Sequence, residues 1–524
     1  MKRRTFIKRT APVAALPVLI NGMSIKSHAS SSLLRMLAAK AENDKVLVLV
    51  QLNGGNDGLN TIIPLDQYTN LTTARSNIII PSAKVLKLNG FENTGLHPSM
   101  TDLQNLFNNE ASLNIVQAVG YPSPNFSHFR ATDIWLSASD SKQYISSGWV
   151  GRYLDDAYPG FPENYPNTDM PDPLAISIGG VVSPAVQGPE VNMGMAISNP
   201  TSFYNFAAGI TDPVPNTPAG KELEFLRLIA NQTDKYADRI KTTYNASTTK
   251  TSKFPSTGNY LADQLKIVAR LIAGGLKTKI YVVTLGGFDT HSNQVSSSGG
   301  TETGGHADLL SKVSIAVGAF MDECNKQNMS DRVAGIIYSE FGRRILSNAS
   351  LGTDHGAAAP VMVFGTQVNR TIIGSNPTIP STVTVNDNVA MQNDFRQIYY
   401  STLVQWFGLS KTEADTIMLK NFDTLQIFKT TGSINSLAPA EITMIENYPN
   451  PFDNSTTIKF NTKGGRVVIR IFDPIGNEIK TLVNKTLPAG THEVVFEAHS
   501  LPPGNYYYNV LSGNSSISRV MLKK

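Results

Sequence analysis

The chain has 524 residues, 41% of them hydrophobic and 16% charged, with a formal net charge of +4. That length and apolar content suit a globular protein with a sizeable core and more than one domain. After the N-terminus the basic residues are scattered, not interleaved with aromatics, which argues against a nucleic-acid partner. A single cysteine, Cys324, excludes an intrachain disulfide framework or a cysteine-rich zinc site.

In chain order, residues 1–43 come first. "MKRRTFIKRTAPVAALPVLINGMS" begins with Arg3-Arg4 and Phe6-Ile7-Lys8, followed by an apolar stretch broken by Pro12 and Pro17. It looks like a twin-arginine export signal, too short and too interrupted to anchor a mature protein across a bilayer. From 45 to 430, continuous apolar runs alternate with helical patterns. The runs "KVLVLVQL" (45–52), "SLNIVQAVG" (112–120), "PLAISIGG" (173–180), "KIYVVTLGG" (279–287), "RVAGIIYSEF" (332–341) and "APVMVFG" (359–365) predict strands. "SMTDLQNLF", "GWVGRYLDDAY", "ELEFLRLIANQTDKYADRI", "LADQLKIVARLIAGG", "HADLLSKVSIAVGAFMDECNK" and "FRQIYYSTLVQWFG" predict helices. The expected fold class is α/β, a mostly parallel sheet with helices on both faces. A linker is expected at 431–442, then from 443 to 524 six short alternating runs between turn residues, which predict a small antiparallel β-sandwich.

In a parallel sheet, ligands bind beyond the carboxyl ends of the strands. Polar groups collect at these ends: Asn53, Asn56 and Asp57 after the first strand, Ser127 and His128 after the second, and Asp289 and His291 after the fourth. Glu340 and Arg343 follow the fifth, and Asp354 and His355 precede the last. Carboxylates mixed with imidazoles suit a divalent cation such as zinc, manganese, magnesium or calcium. Each group alone has a plain structural role: "GGNDG" as a tight turn, Ser127 as a helix N-cap, Glu340 as a partner of an adjacent arginine. Their joint placement at the strand ends of one sheet favours a metal or anion site.

Two resemblances add to this reading. "ENYPNPFDNSTTIKF", "VVIRIFDPIGNEIKTL", "LPAGTHEVVFEAHSLPPGNYYYNVL" and the terminal "KK" resemble a type A C-terminal sorting domain of the type IX secretion system. That resemblance implies type IX and, with the N-terminus, twin-arginine machinery as partners, and export through the periplasm to the cell surface or beyond. "LVQLNGGNDGLNTIIP", "HPSM", "FSHFRATDIW", "GGFDTHSNQ", "SEFGRR" and "GTDHGAAAPVMVFG" resemble, in order, an uncharacterised exported bacterial family of the alkaline phosphatase–sulfatase-like superfamily.

The second resemblance implies metal-assisted attack on phosphate or sulfate esters. It implies Ser127 as nucleophile and Asp57, Asp289, His291, Glu340, Asp354 and His355 as the metal-ligand set; beside Ser127 in "SHFR", Arg130 is expected to clamp the anion's oxygens and His128 to act as acid or to orient the serine. Phe341 stands where the superfamily has a histidine, which puts a full two-metal site in doubt. Neither Cys324 nor Ser123 fits the formylglycine motif. The competing expectation is a non-catalytic surface protein of the same fold that binds anionic glycans or supports surface assembly.

Overall fold

The computed structural model describes residues 19–20, 23–24, 44–201, 218–429, 442–462, 464–473, 478–512 and 515–524. The expected export leader and the linker lie outside these residues, apart from a two-residue strand pair at Leu19–Ile20 and Met23–Ser24. One compact unit spans Asp44–Thr431 and a second holds Gly432–Lys524.

The first unit is built on a nine-stranded sheet. Its strands are β1 (Val46–Leu52), β2 (Leu113–Gly120), β3 (Ala175–Ile178), β4 (Gly194–Ile197), β5 (Ile280–Leu285), β6 (Val333–Ser339), β9 (Ala359–Phe364), β10 (Ile372–Ile373) and β11 (Asn393–Asp394). A separate hairpin, β7 (Arg343–Ser347) and β8 (Thr353–His355), lies between β6 and β9 in the chain. The sheet order is β10–β2–β9–β6–β1–β5–β3–β4, with β11 also paired to β2. All pairings are parallel except those of β9, which runs antiparallel to both β6 and β2.

The continuous apolar runs are explained by burial on both faces. In β1, Val46, Val48, Val50 and Leu52 enter one core, and Leu47 and Leu49 enter the other. The first core is shared with helices α1 (Thr101–Asn108), α5 (Tyr260–Ala273) and α6 (Gly305–Lys326). The second is shared with α2 (His128–Ser137), α3 (Trp149–Ala157) and α7 (Phe395–Ser401). The remaining long helix, α4, spans Pro218–Ala246. Cys324 is a fully buried thiol in α6, and burial raises its pKa. The predicted helix at 395–408 is α-helical to Ser401 and then widens to a π-turn at Thr402–Trp406.

Register brings the functional loops to one level. Leu52 of β1 pairs with Leu285 of β5 and with Ser339 of β6. The three loops that follow therefore leave the sheet side by side. Because β9 is antiparallel, its first residue, Ala359, lies opposite Val119 near the end of β2. The segment entering β9, with His355, thus reaches the same edge as the loops leaving the parallel strands.

The second unit is an antiparallel sandwich of β12 (Ile442–Tyr448), β13 (Ser455–Thr462), β14 (Gly465–Phe472), β15 (Glu478–Leu487), β16 (Gly490–Glu497), β17 (Gly504–Ser512) and β18 (Ser515–Lys523). The sheets are β12–β13–β16 and β15–β14–β17–β18. The period-two pattern is plain in β13, where Thr456, Ile458, Phe460 and Thr462 are buried and the residues between them are not. Among the predicted runs, β12 is an additional strand.

Candidate metal centre

The loop after β1 makes its turn through Gly54 (φ +124°) and Gly55 (φ +77°), a left-handed backbone that glycine adopts without strain. A Cβ on Gly54 would lie 2.3 Å from the Asp289 amide nitrogen, so this turn and the loop after β5 are in backbone contact. A Cβ on Gly55 would strike the Phe341 ring at 2.2 Å.

Arg343, with a fully buried guanidinium, ties these loops together. It donates to Gly55 O (2.7 Å), Gly54 O, Phe288 O (3.1 Å), Thr353 O (2.8 Å) and Asp289 Oδ1 (2.7 Å). Arg343 also pairs with His355 across the β7–β8 hairpin, which sets that histidine beside Asp289.

Three imidazoles surround Asp289. His128, the first residue of α2, donates from Nδ1 to Glu340 Oε1 (2.8 Å), leaving Nε2 3.6 Å from Asp289 Oδ2. His355 donates from Nδ1 to the Phe126 carbonyl (2.8 Å), with Nε2 3.2 Å from Asp289 Oδ1. His291 donates from Nδ1 to Asp354 Oδ1 (3.0 Å), with Nε2 3.2 Å from Asp289 Oδ1. Each Nδ1 faces an oxygen that can only accept, so in the neutral ring each Nε2 carries a lone pair.

Three such lone pairs turned on one carboxylate repel it unless a proton or a cation lies between them. His128 Nε2 is also buried without a hydrogen-bond partner. His128, Asp289 and His355 each offer one ligand atom within 4.8 Å of the others. Two imidazole nitrogens and one carboxylate oxygen, each imidazole held from behind by an acceptor, fit a divalent cation.

Comparison with known proteins follows from this geometry. Residues 229–418 match the family model "Protein of unknown function (DUF1501)", and residues 446–524 match "Secretion system C-terminal sorting domain". The chain carries a DUF1501 domain and a sorting domain. The second match is the type IX sorting signal and marks a secreted, cell-surface or extracellular protein. Among the described residues no helix is long and apolar enough to cross a membrane. No curated protein sequence is significantly similar.

Similar solved structures belong to the alkaline phosphatase–sulfatase superfamily. One is an alkaline phosphatase superfamily protein from Vibrio parahaemolyticus (11% identity, 84% of this chain and 86% of that chain, TM-score 0.32). Others are a lipoteichoic acid synthase from Listeria monocytogenes (10%, 85% and 88%, 0.31) and a sulfatase from Pseudoalteromonas sp. (10%, 90% and 88%, 0.31). At these values, what the site can do rests on its own side chains.

Electrostatics agree with a cation site. Burial works to raise the Asp289 carboxyl, but the hydrogen bond and charge of Arg343 oppose it, and the group is held at about 2. Burial, helped by the charges of Arg343 and His128, lowers the His355 pKa despite its bonds to Phe126 and Asp289. Asp289 is thus anionic and His355 favours its neutral, ligating form.

The expected residues divide into two groups. Asp289 and His355 converge, joined by His128, which had been expected to assist catalysis. His291 reaches the same Asp289 oxygen as His355, with the two ring centroids 4.6 Å apart and Asp354 behind His291. Glu340, expected as a ligand, instead orients His128 and also accepts from the Gly54 N–H (2.9 Å) and Ser339 Oγ (2.9 Å). Asp354 likewise serves as an acceptor, for His291 and for Asn348 (3.3 Å).

Asp57 stands apart, which corrects its expected role as a ligand. Both its oxygens accept from Arg75 Nη1 (3.0 and 2.7 Å), and Oδ2 accepts from Gln294 (2.6 Å), with Arg75 and Asp57 fully buried. Arg130 is not placed as an anion clamp. It bonds Asp133 and the carbonyls of Asp140, Ser141 and Gln143, and lies over the Tyr144 ring. Ser127 is exposed at the N-cap of α2 with no side-chain capping bond. Phe341 fills the space beside the imidazoles, with ring centroids 4.9 Å from His128 and 4.7 Å from His355. Phe341 thus offers the cluster carbon and no ligand nitrogen.

Two partners went unassigned in the sequence. Arg343 had a signal, its place at a strand end in "SEFGRR". Arg75, in "TTARSN", had none, because only the fold brings it to Asp57.

Proposed function

We propose that the Asp44–Thr431 unit is a metal-dependent hydrolase of phosphate or sulfate esters, with one divalent cation held by His128, Asp289 and His355. The observation that carries this reading is the pair of imidazole Nε2 atoms aimed at the Asp289 carboxylate while both Nδ1 atoms are bound to acceptors. The donor set favours zinc or another imidazole-preferring cation over magnesium or calcium, which take oxygen ligands. When bound, the cation supplies positive charge to an anionic ester and lowers the pKa of a coordinated oxygen.

Ser127 is the proposed nucleophile. The residues on either side of it, Phe126 and His128, both bond the cluster, which supports a place for its exposed hydroxyl at the rim of the site. It also precedes the ten residues of α2, whose first backbone N–H groups favour an anion. Glu340 holds the tautomer and aim of His128, and Arg343 holds Asp289. The sorting domain supports a place for this chemistry at the cell surface or outside, with the twin-arginine-like start as the expected export route.

The test uses the full chain stripped with EDTA. Zinc titration by calorimetry is expected to show one site, lost in His128→Ala and in His355→Ala. Turnover of p-nitrophenyl phosphate, its bis-ester or p-nitrophenyl sulfate is expected to vanish in Ser127→Ala. Unchanged zinc binding in both histidine variants refutes the metal centre. Zinc binding without turnover of any ester refutes the hydrolase and leaves the glycan-binding alternative.

A further inference from the structure

A cleft of about 420 Å³ opens beside the cluster, within the range of small-molecule sites. Asp289, His128 and Glu340 line it, and the rest of its lining is Asn53, Gly54, Phe129, Thr132, Gly286 and Gly287. Three of these are glycines, and Phe129 is 91% exposed. A Cβ on Gly286 would meet nothing within 4 Å, so its backbone faces open space, while one on Gly287 would touch Leu309 at 3.4 Å. Phe129 follows His128 in the first turn of α2, yet it belongs to neither core. A phenyl ring left in water forgoes the stabilisation that burial gives it, and a single exposed apolar residue is ordinary by itself. Here it lies in the lining of a cleft that also carries the Asp289 carboxylate and the His128 imidazole.

We propose, resting on the hydrolase reading above, that the substrate is an ester of a ring-bearing alcohol. The ring lies along the Gly286–Gly287 backbone and packs on Phe129, with the anionic group at His128 and Asp289. Peptide planes without side chains and one aromatic face recognise the flat apolar side of a ring and would not hold a short-chain alcohol. Phe129 is thus a specificity residue that leaves the cation site untouched.

The probes are phenylphosphonate and methylphosphonate, with benzenesulfonate and methanesulfonate covering the sulfate case. Each is titrated into the zinc-loaded full chain. The phenyl member of the preferred pair is expected to bind about tenfold more tightly than the methyl member. Phe129→Ala, which removes an exposed ring, and Gly286→Val, which fills open space, are both expected to bring that ratio near one. Zinc affinity and methyl-probe affinity stay unchanged in both variants. A wild-type ratio near one, or a ratio that survives both substitutions, overturns the ring proposal while the hydrolase reading stands. Absence of zinc binding, or of binding by every probe, overturns both.

Discussion

Asp57→Asn separates a buried ion-pair role from a metal-ligand role. Asp57 meets Arg75 at 2.7 Å with both side chains fully buried, and Gln294 adds a third hydrogen bond. The other donors of Arg75 are spoken for by Ile345 O (2.7 Å) and Arg344 O (2.6 Å), so the guanidinium cannot swing to water. Removing one partner of such a pair leaves a buried charge uncompensated, at about 3–5 kcal/mol. Asparagine keeps one acceptor oxygen, so the expected loss is at the lower end, about 3 kcal/mol. All three tryptophans of the chain, Trp135, Trp149 and Trp406, lie in the Asp44–Thr431 unit, so their fluorescence in a urea titration reports that unit. The expected result is a clear fall in the unfolding midpoint with zinc affinity changed less than tenfold. A midpoint within 1 kcal/mol of wild type, together with a hundredfold loss of zinc affinity, would refute the assignment and restore Asp57 to the metal.

Other outcomes follow from the same geometry. Glu340→Gln keeps the shape but removes the charge behind His128, and zinc affinity by calorimetry is expected to fall about tenfold; unchanged affinity would deny Glu340 its orienting role. Gly54→Ala places a methyl against backbone at 2.3 Å in a left-handed turn, so a loss of about 1–3 kcal/mol and weaker zinc binding are expected, read by urea titration and calorimetry. Burial lowers His306 to about 4 and His97 to about 3, both only 1% exposed. Below about pH 6.5 the unfolded chain takes up protons that these folded histidines refuse, so stability falls with pH. Between pH 7 and 5 the two together account for about 4 kcal/mol in EDTA. A urea midpoint that does not fall between those pH values would contradict it.

Much of the α/β unit was legible because its strands are buried on two faces. Val46–Leu52 and Ile280–Leu285 read as strands because nearly every position is apolar and the runs are short and rich in β-branched residues. The sandwich was legible for the opposite reason, one buried face and strict alternation, as in Ser455–Thr462. Ile442–Tyr448 was obscured because only its pairing with Ser455–Thr462 makes it a strand.

By itself, the sequence determined that Asp289, His128, His291 and His355 would stand at strand ends, since local apolar runs say where a strand stops. Which of them share a cation is a matter of distance across the sheet, and no local pattern encodes that. Asp57 and Asp289 follow neighbouring strands and look alike in sequence, yet both oxygens of Asp57 are bonded to a buried arginine, whereas Asp289 gives one oxygen to a buried arginine and also faces three imidazole nitrogens. The tertiary structure decided between them through Arg75 and Arg343, because a guanidinium seated in the interior must be neutralised by whichever carboxylate the packing leaves within reach.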